Sequence, residues 1–234
     1  GRTLLADLDL TIHRGEIVGI AGVEGNGQTE LVEVIMGMRR ATEGSIVLAE
    51  EDITRLSVRK VRERGVGFIP EDRHRHGVVL DFPLWENRIL GHQTTAPVVR
   101  GPLLDPGGAR RDAERISDAY DVRTPSVHTT ARALSGGNQQ KFIVGREMSG
   151  DPILLLASHP TRGVDVGAQA AIWDHIRRAR QEGLGVLLIS ADLDELIGLS
   201  DRLEVILRGR FTAQLDPRNV TAQELGTAMT GGAA

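Results

Sequence analysis

Leu134-Ser135-Gly136-Gly137-Asn138-Gln139-Gln140-Lys141 sets a serine and two glycines at a helix start, ahead of the apolar segment Phe142-Ile143-Val144. The first N–H groups of a helix have no partner within it, and the helix dipole adds positive potential at the same end. Ser135 is a natural N-cap. Such a start attracts anions, and a phosphate suits it well. A glycine-serine turn also opens helices that bind nothing, so the meaning of these eight residues depends on the rest of the chain.

Upstream, the apolar run Glu16-Ile17-Val18-Gly19-Ile20-Ala21 enters Gly22-Val23-Glu24-Gly25-Asn26-Gly27-Gln28-Thr29, and Leu31, Val34 and Ile35 follow at helical spacing. That order is strand, loop, helix. The loop has the spacing of a P-loop, in the strand-to-helix context the motif requires. Its glycines let successive N–H groups turn inward around a phosphate, and Thr29 is a candidate Mg²⁺ ligand. Gly22, Glu24, Gly25, Asn26, Gly27, Gln28, Thr29 and Glu30 are therefore the candidate nucleotide-binding run. One residue departs from the pattern: Gln28 stands where a P-loop carries lysine. A unit-charge pair at ~4 Å and an effective dielectric near 20 is worth roughly 4 kcal/mol. Its loss predicts weak nucleotide binding and less stabilisation of charge during phosphoryl transfer.

Further along, residues 4–12 alternate loosely and suggest an edge strand, and Ser45–Leu48 and Val66–Ile69 suggest short strands. From about residue 72 to 150 the pattern changes to a basic loop, Pro-rich linkers around Pro97 to Pro106, and helices over Ala109–Tyr120 and Asn138–Met148. After Asp151 the βα alternation resumes. Ile153–Leu156, Val186–Ile189 and Leu203–Ile206 read as buried strands, and Ala168–Arg180 as a helix with Ala168, Ile172 and Ile176 on one face. Continuous apolar strands between helices predict an α/β fold with a parallel sheet covered on both sides, interrupted by an inserted helical subdomain. The Gly-Gly-Ala-Ala ending reads as a mobile tail.

With 234 residues the chain can bury a substantial core. A net charge of −4 offers no global basic field for nucleic acid. Aromatic residues make up 3% of the chain, too few to build stacking platforms for bases. The absence of cysteine excludes disulfides and thiolate metal sites. No apolar stretch approaches the ~18 residues of a membrane span. The chain opens on Gly1-Arg2-Thr3 with no signal-peptide pattern, and it reads as a piece of a longer polypeptide.

The run 134–141 resembles, almost letter for letter, the signature motif of ATP-binding cassette (ABC) ATPases, and its NQQK ending is similar to the sugar and nucleoside importer branch. Ile17 to Leu31, Pro70 to Gly77 and Pro160 to Gly167 share that resemblance, which extends over essentially the whole chain. It implies one cassette domain over 1–234. A RecA-like core with an antiparallel β subdomain would take 1–72 and 151–215. A loop and α-helical signature subdomain would take 73–150, and a C-terminal helix and tail 216–234. It is most similar to the second cassette of tandem subunits. ATP and Mg²⁺ are then the implied cofactors. An upstream cassette on the same polypeptide, integral-membrane permease subunits and, indirectly, an extracytoplasmic solute-binding protein are the implied partners, with no nucleic acid. The implied location is the cytoplasmic face of the plasma membrane, and the implied solute is a nucleoside or a monosaccharide.

Against that family, the positions for chemistry are altered. Ser158 stands at the place of the metal-organising aspartate and His159 at that of the water-polarising glutamate. Serine supplies no carboxylate to a metal shell. His159 can in principle act as a base, although a histidine that merely packs at a strand end is the commoner case. Ala191 replaces the switch histidine, Glu71 stands at the loop glutamine, and no aromatic residue precedes the P-loop to stack on adenine. Cassettes of this family pair head to tail, each nucleotide lying between one P-loop and the other signature. The resemblance therefore implies that Ser135, Gly136, Gly137 and Gln139 act in trans, with Asp165 and Thr161 at the same interface. Arg73, His74, Arg75, His76, Phe82 and Trp85 fall where the family meets its permease, or else form core and a solvated loop. A non-hydrolytic regulatory nucleotide-binding module and a non-transport ABC ATPase are the competing expectations.

Overall fold

In a computed structural model, residues 4–231 are described, and they cluster into two compact units. The first holds 4–66, 153–159 and 177–231; the second holds 67–152 and 160–176. The expectation of a mobile Gly-Gly-Ala-Ala tail falls largely outside the described residues.

Chain order begins with β1 (Ile17–Ala21), all five residues buried, and α1 (Gln28–Ile35). Two two-residue strands, β2 (Val47–Leu48) and β3 (Glu51–Asp52), pair antiparallel, and α2 (Val58–Glu63) and β4 (Val66–Ile69) follow. Residues 4–12 form no strand, contrary to the expectation from their alternation. Single hydrogen bonds hold the segment instead: Ala6 N–H donates to Gly209 O at 2.9 Å and Arg202 Nη2 to Thr11 O at 2.6 Å.

The second unit opens on a π-helical turn, Arg73–Gly77, followed by α3 (Leu84–Ile89). Where proline and glycine suggest only a linker, a hairpin forms from β5 (Val99–Arg100) and β6 (Leu103–Leu104). Its turn uses Gly101 at φ +63°, a conformation that favours glycine. Helix α4 (Pro106–Ala119) starts three residues before the expected Ala109 because Asp105 caps it, accepting from Gly108 N–H at 2.9 Å, and because proline suits its first turn. Helix α5 (Gly136–Met148) runs from the signature glycines, and Ile143 and Phe142 are fully buried on it.

The chain then returns through β7 (Leu154–Ser158), α6 (Val166–Gln181), β8 (Gly185–Ile189), α7 (Leu193–Leu199), β9 (Arg202–Leu207), β10 (Arg210–Leu215) and α8 (Ala222–Met229). Ile153, expected at the start of the buried strand, lies outside β7 and is exposed. Ala168, Ile172 and Ile176 are the buried residues of α6, as their spacing predicts. Within the first unit the sheet order is β10-β9-β1-β8-β7. β1 runs parallel to β8 and β9, β8 parallel to β7, and β10 adds an antiparallel edge beyond β9. Apolar strands buried throughout are what a sheet covered on both faces requires. The fold is a mainly parallel α/β sheet of the P-loop NTPase type.

Candidate functional site

In the first unit, parallel pairing brings the ends of three strands to one edge of the sheet. Ile20 of β1 and Ser158 of β7 both stand in register with Ile189 of β8. Residues just beyond that row therefore share one edge, where open α/β sheets bind their ligands. Those residues are the Gly22–Thr29 loop, Ser158-His159 and Ser190-Ala191.

The loop is shaped by glycine and anchored by Asn26. Gly25 and Gly27 adopt φ +87° and +119°, and Gly27 is the N-cap of α1 without a capping side chain. The N–H groups of the first turn are left to whatever sits in the loop. Asn26 Nδ2 donates to Val23 O at 2.8 Å, and its Oδ1 accepts from Arg208 N–H at 2.8 Å. Gly209 N–H donates to Asn26 O at 2.8 Å, so the β9–β10 turn braces the loop from behind. Gln28 is buried, and its Nε2 donates to the loop carbonyl of Val23 at 3.2 Å. At Gly22 a Cβ would come within 2.6 Å of that same nitrogen, which places the amide inside the loop. Glu24 and Thr29 are exposed, and Glu30 is partly exposed in the first turn of α1.

This frame fits a phosphate and fits Mg²⁺ poorly. Ser158 is buried at the end of β7. His159 lies beyond it with φ +48°; its N–H donates to Ile189 O at 2.7 Å, and its Nδ1 accepts from Ala191 N–H at 3.2 Å. His159 thus bonds at the end of β8 through both its backbone and its imidazole. Ala191 has no polar side-chain atom. The nearest acid in sequence, Asp192, caps α7 by accepting from the N–H groups of Asp194 and Glu195. Among the described residues no cluster of three or more metal-ligating side chains occurs. Thr29, Ser158 and Ser190 offer hydroxyls here, and the strand-end position that would carry a carboxylate for Mg²⁺ is Ser158. Gln28→Lys should restore a cation to this loop and tighten ATP about tenfold, a change of ~1.4 kcal/mol. Calorimetric titration checks it, and an unchanged affinity would refute the electrostatic account of the loop.

The second unit carries the other element. Ser135 caps α5, accepting from Asn138 N–H at 3.4 Å and Asn138 Nδ2 at 3.0 Å. Asn138 Oδ1 accepts in turn from Arg123 N–H at 2.9 Å. Ser135 is exposed and Gly137 is buried, and a Cβ on Gly137 would meet Asp165 Oδ2 at 3.1 Å and Ala168 Cβ at 3.2 Å. Glycine is needed there for space. Asp165 accepts from Ala168 N–H at 3.0 Å at the head of α6, and that backbone bond holds its carboxyl below the usual range. Thr161 is partly exposed in the segment leading to it.

Gln139, expected to act in trans, is turned into the protein. Gln139 is buried; its Nε2 donates to Ala131 O at 2.9 Å and Leu134 O at 3.3 Å, and its Oε1 faces His74 Nε2 at 3.0 Å. These bonds tie it to the segment leading into α5. Gln140 Nε2 donates to Pro160 O at 2.7 Å, and Lys141 Nζ is bound by Asp121 at 2.9 Å. Glu71 accepts from Arg162, and Phe82 is exposed while Trp85 lies partly buried beneath the Arg110 guanidinium, 4.9 Å from its ring centre.

Comparison with known proteins identifies the family and the fold. A family model described as ABC transporter matches residues 5–162. The guanosine import ATP-binding protein NupO of Bacillus subtilis (strain 168) is 48% identical over 231 residues, covering 99% of this chain and 45% of that protein. The nucleoside import ATP-binding protein NupA of Lactococcus lactis subsp. cremoris is 44% identical, covering 99% of this chain and 46% of its own length. A ribose import ATP-binding protein, RbsA 1 of Rubrobacter xylanophilus, is 39% identical, covering 99% and 46%. The chain thus spans under half the length of these curated relatives. Among solved structures, the dimeric ATP-binding cassette MJ0796, in a post-hydrolysis state bound to ADP and Pi, superposes with a TM-score of 0.78 at 20% identity, covering 93% of this chain and 92% of that one. At that identity the likeness speaks for the fold.

Proposed function

Because the chain belongs to the ABC transporter family, we propose that it is one cassette of an importer ATPase whose own nucleotide site has lost its catalytic groups and which lends its signature helix to a partner cassette. One observation carries this: the phosphate-binding frame survives at both elements while the charged groups are replaced only at the strand edge. Gln28, Ser158, His159 and Ala191 supply neither lysine, nor carboxylate, nor switch imidazole. Ser135, Gly136 and Gly137 are intact at the head of a capped thirteen-residue helix.

In the competent site, the upstream cassette contributes the lysine, the acidic pair and the histidine. This chain contributes the N–H groups at the head of α5, positive by the helix dipole and aimed at a triphosphate. They stabilise charge on the transferring phosphoryl group without taking part in a covalent step. At its own loop the chain holds nucleotide weakly through backbone N–H groups, with little or no Mg²⁺-dependent hydrolysis. Permease subunits receive the motion through the segment that follows Glu71, where Val79 and Phe82 present apolar surface. The subunit then sits peripherally at the cytoplasmic membrane face; among the described residues no helix is long and apolar enough to cross a membrane. Its relatives import guanosine, nucleosides and ribose, which supports a nucleoside first and a monosaccharide second as the solute.

The test is turnover by the chain alone against turnover by the assembled transporter. The isolated chain should hydrolyse MgATP at under about 1% of the assembled rate, since a lost electrostatic group alone costs ~10²–10³-fold. Brisk hydrolysis by the isolated chain would end this assignment.

A further inference from the structure

We infer that Arg73 is a positioning residue for the signature helix, holding the first signature glycine and the Arg162-Gly163 loop in one arrangement. The inference rests on the signature acting in trans, as proposed above.

The basic run Arg73–His76 looks in sequence like a solvated loop, and Arg75 and His76 are indeed exposed. The turn itself is fixed. Asp72 accepts from the N–H groups of His74 and Arg75, both at 3.0 Å, and these bonds, Arg75's foremost, hold its carboxyl below the usual range. The turn is thereby held by local side-chain-to-backbone bonds. Arg73 leaves it toward the signature. Its Nη1 donates to Arg162 O at 2.8 Å. A Cβ on Gly136 would come within 2.7 Å of its Nη2, and one on Gly163 within 3.4 Å of its Nη1. The guanidinium therefore lies against two glycines from separate segments, and it fills the space a Cβ on Gly136 would take. Arg162 closes the contact from the other side, its own guanidinium bonding to Glu71 two residues before Arg73.

Two features separate this from an ordinary surface cation. The Nε of Arg73 is buried and has no hydrogen-bond partner among the described residues, so the side chain is held by packing and by a single carbonyl. A surface ion pair such as Arg162–Glu71 contributes little by itself. Its use here is to fix the loop whose carbonyl Arg73 holds. Residues 71–73 and 162–163 thus clasp each other reciprocally beside the glycine that opens α5. A planar guanidinium can lie flat on a glycine backbone and donate in its own plane, which an ammonium cannot do.

The experiment uses the assembled transporter. Arg73→Ala should lower kcat for ATP about tenfold with KM changed less than twofold, because displacement of a positioned group by a fraction of an ångström costs rate before it costs binding. Arg73→Lys should recover only part of that loss. Arg73→Gln, which keeps a planar donor without charge, stands in should the alanine variant fail to fold. Paired with Ser135→Ala, the Arg73 change should cost under about twofold further, since two groups acting through one element are not additive. If Arg73→Ala and Arg73→Gln both keep kcat within twofold, or if either costs as much with Ser135 absent as present, the inference is overturned. Ser135→Ala alone separates the two levels. A silent Ser135→Ala refutes the trans signature, whereas a damaging one beside a silent Arg73→Ala refutes only the role given to Arg73.

Discussion

In the assembled transporter, Ser135→Ala is expected to cut ATP turnover by about 10²-fold and Gly137→Val by more, whereas Thr29→Ala leaves it within about twofold. The contrast follows from where each residue's chemistry can act. Ser135 caps the first turn of α5 and is exposed, so its loss both frays that turn and removes a hydroxyl from the surface offered to the partner's nucleotide. A valine at 137 goes further. Its Cβ already crowds Asp165 and Ala168, and the two methyls beyond would push the head of α6 away from α5. On the proposed reading Thr29 sits in a loop that holds Mg²⁺ weakly, because Ser158 brings no carboxylate to the strand end and Gln28 carries no charge. On that reading, removing the Thr29 hydroxyl changes little. Steady-state ATPase assays on the three variants decide the matter: equal losses from Thr29→Ala and Ser135→Ala would mean two equivalent sites and would refute the asymmetric assignment.

Much of the frame was open to sequence reasoning, for identifiable reasons. β1, the glycine loop and α1 form a strand whose five residues are all buried, two left-handed glycines and an apolar helical stripe, each a strong local signal. The one-faced pattern of Ala168, Ile172 and Ile176 and the run Val186–Ile189 are as clear. What escaped depends on partners distant in the chain. The alternation in residues 4–12 has the period of a strand but finds no ladder, since period alone does not supply a neighbour. The hairpin of β5 and β6 is hidden by Pro97, Gly101, Pro102 and Pro106, whose presence marks turns without saying what they connect. Gln139, Gln140 and Lys141 are polar residues whose partners the sequence does not name. They are turned inward because Ala131, Pro160 and Asp121 offer acceptors that no spacing rule places. Arg73 and His74 are a further case: a basic run read as a permease contact or a solvated loop donates to Arg162 O and faces Gln139.

Asp112→Ala should destabilise the second unit by about 3–5 kcal/mol, because it strands a buried charge. Arg88 on α3 and Asp112 on α4 are both nearly inaccessible and bond to each other, and the Nη1 of Arg88 already lacks a hydrogen-bond partner among the described residues. Arg115 reaches the second carboxylate oxygen at 2.8 Å and continues to Ser149 Oγ at 3.0 Å, which ties α4 to the end of α5. With the carboxylate gone, the Arg88 guanidinium remains buried without its countercharge. Asp112→Asn keeps the shape and one acceptor, so it should cost less, about 1.5–3 kcal/mol for bonds to a charged group. Acid should reproduce part of the effect. Burial pushes the Asp112 carboxyl up, but Arg88 and Arg115 outweigh it and hold it below its ordinary value. A carboxyl whose folded pKa is depressed gives stability that is complete above the unfolded pKa near ~3.9 and is lost as pH falls through the folded one. The gap between the native chain and Asp112→Asn should therefore narrow as pH is lowered from 7 toward 3. Thermal melts should show Asp112→Ala at neutral pH lower by about 10 °C, taking 2–4 °C per kcal/mol for a chain of this size. A melt within 2 °C of native would mean that the pair is solvated, and that packing of α3 on α4, rather than the ion pair, supports the unit that carries the signature.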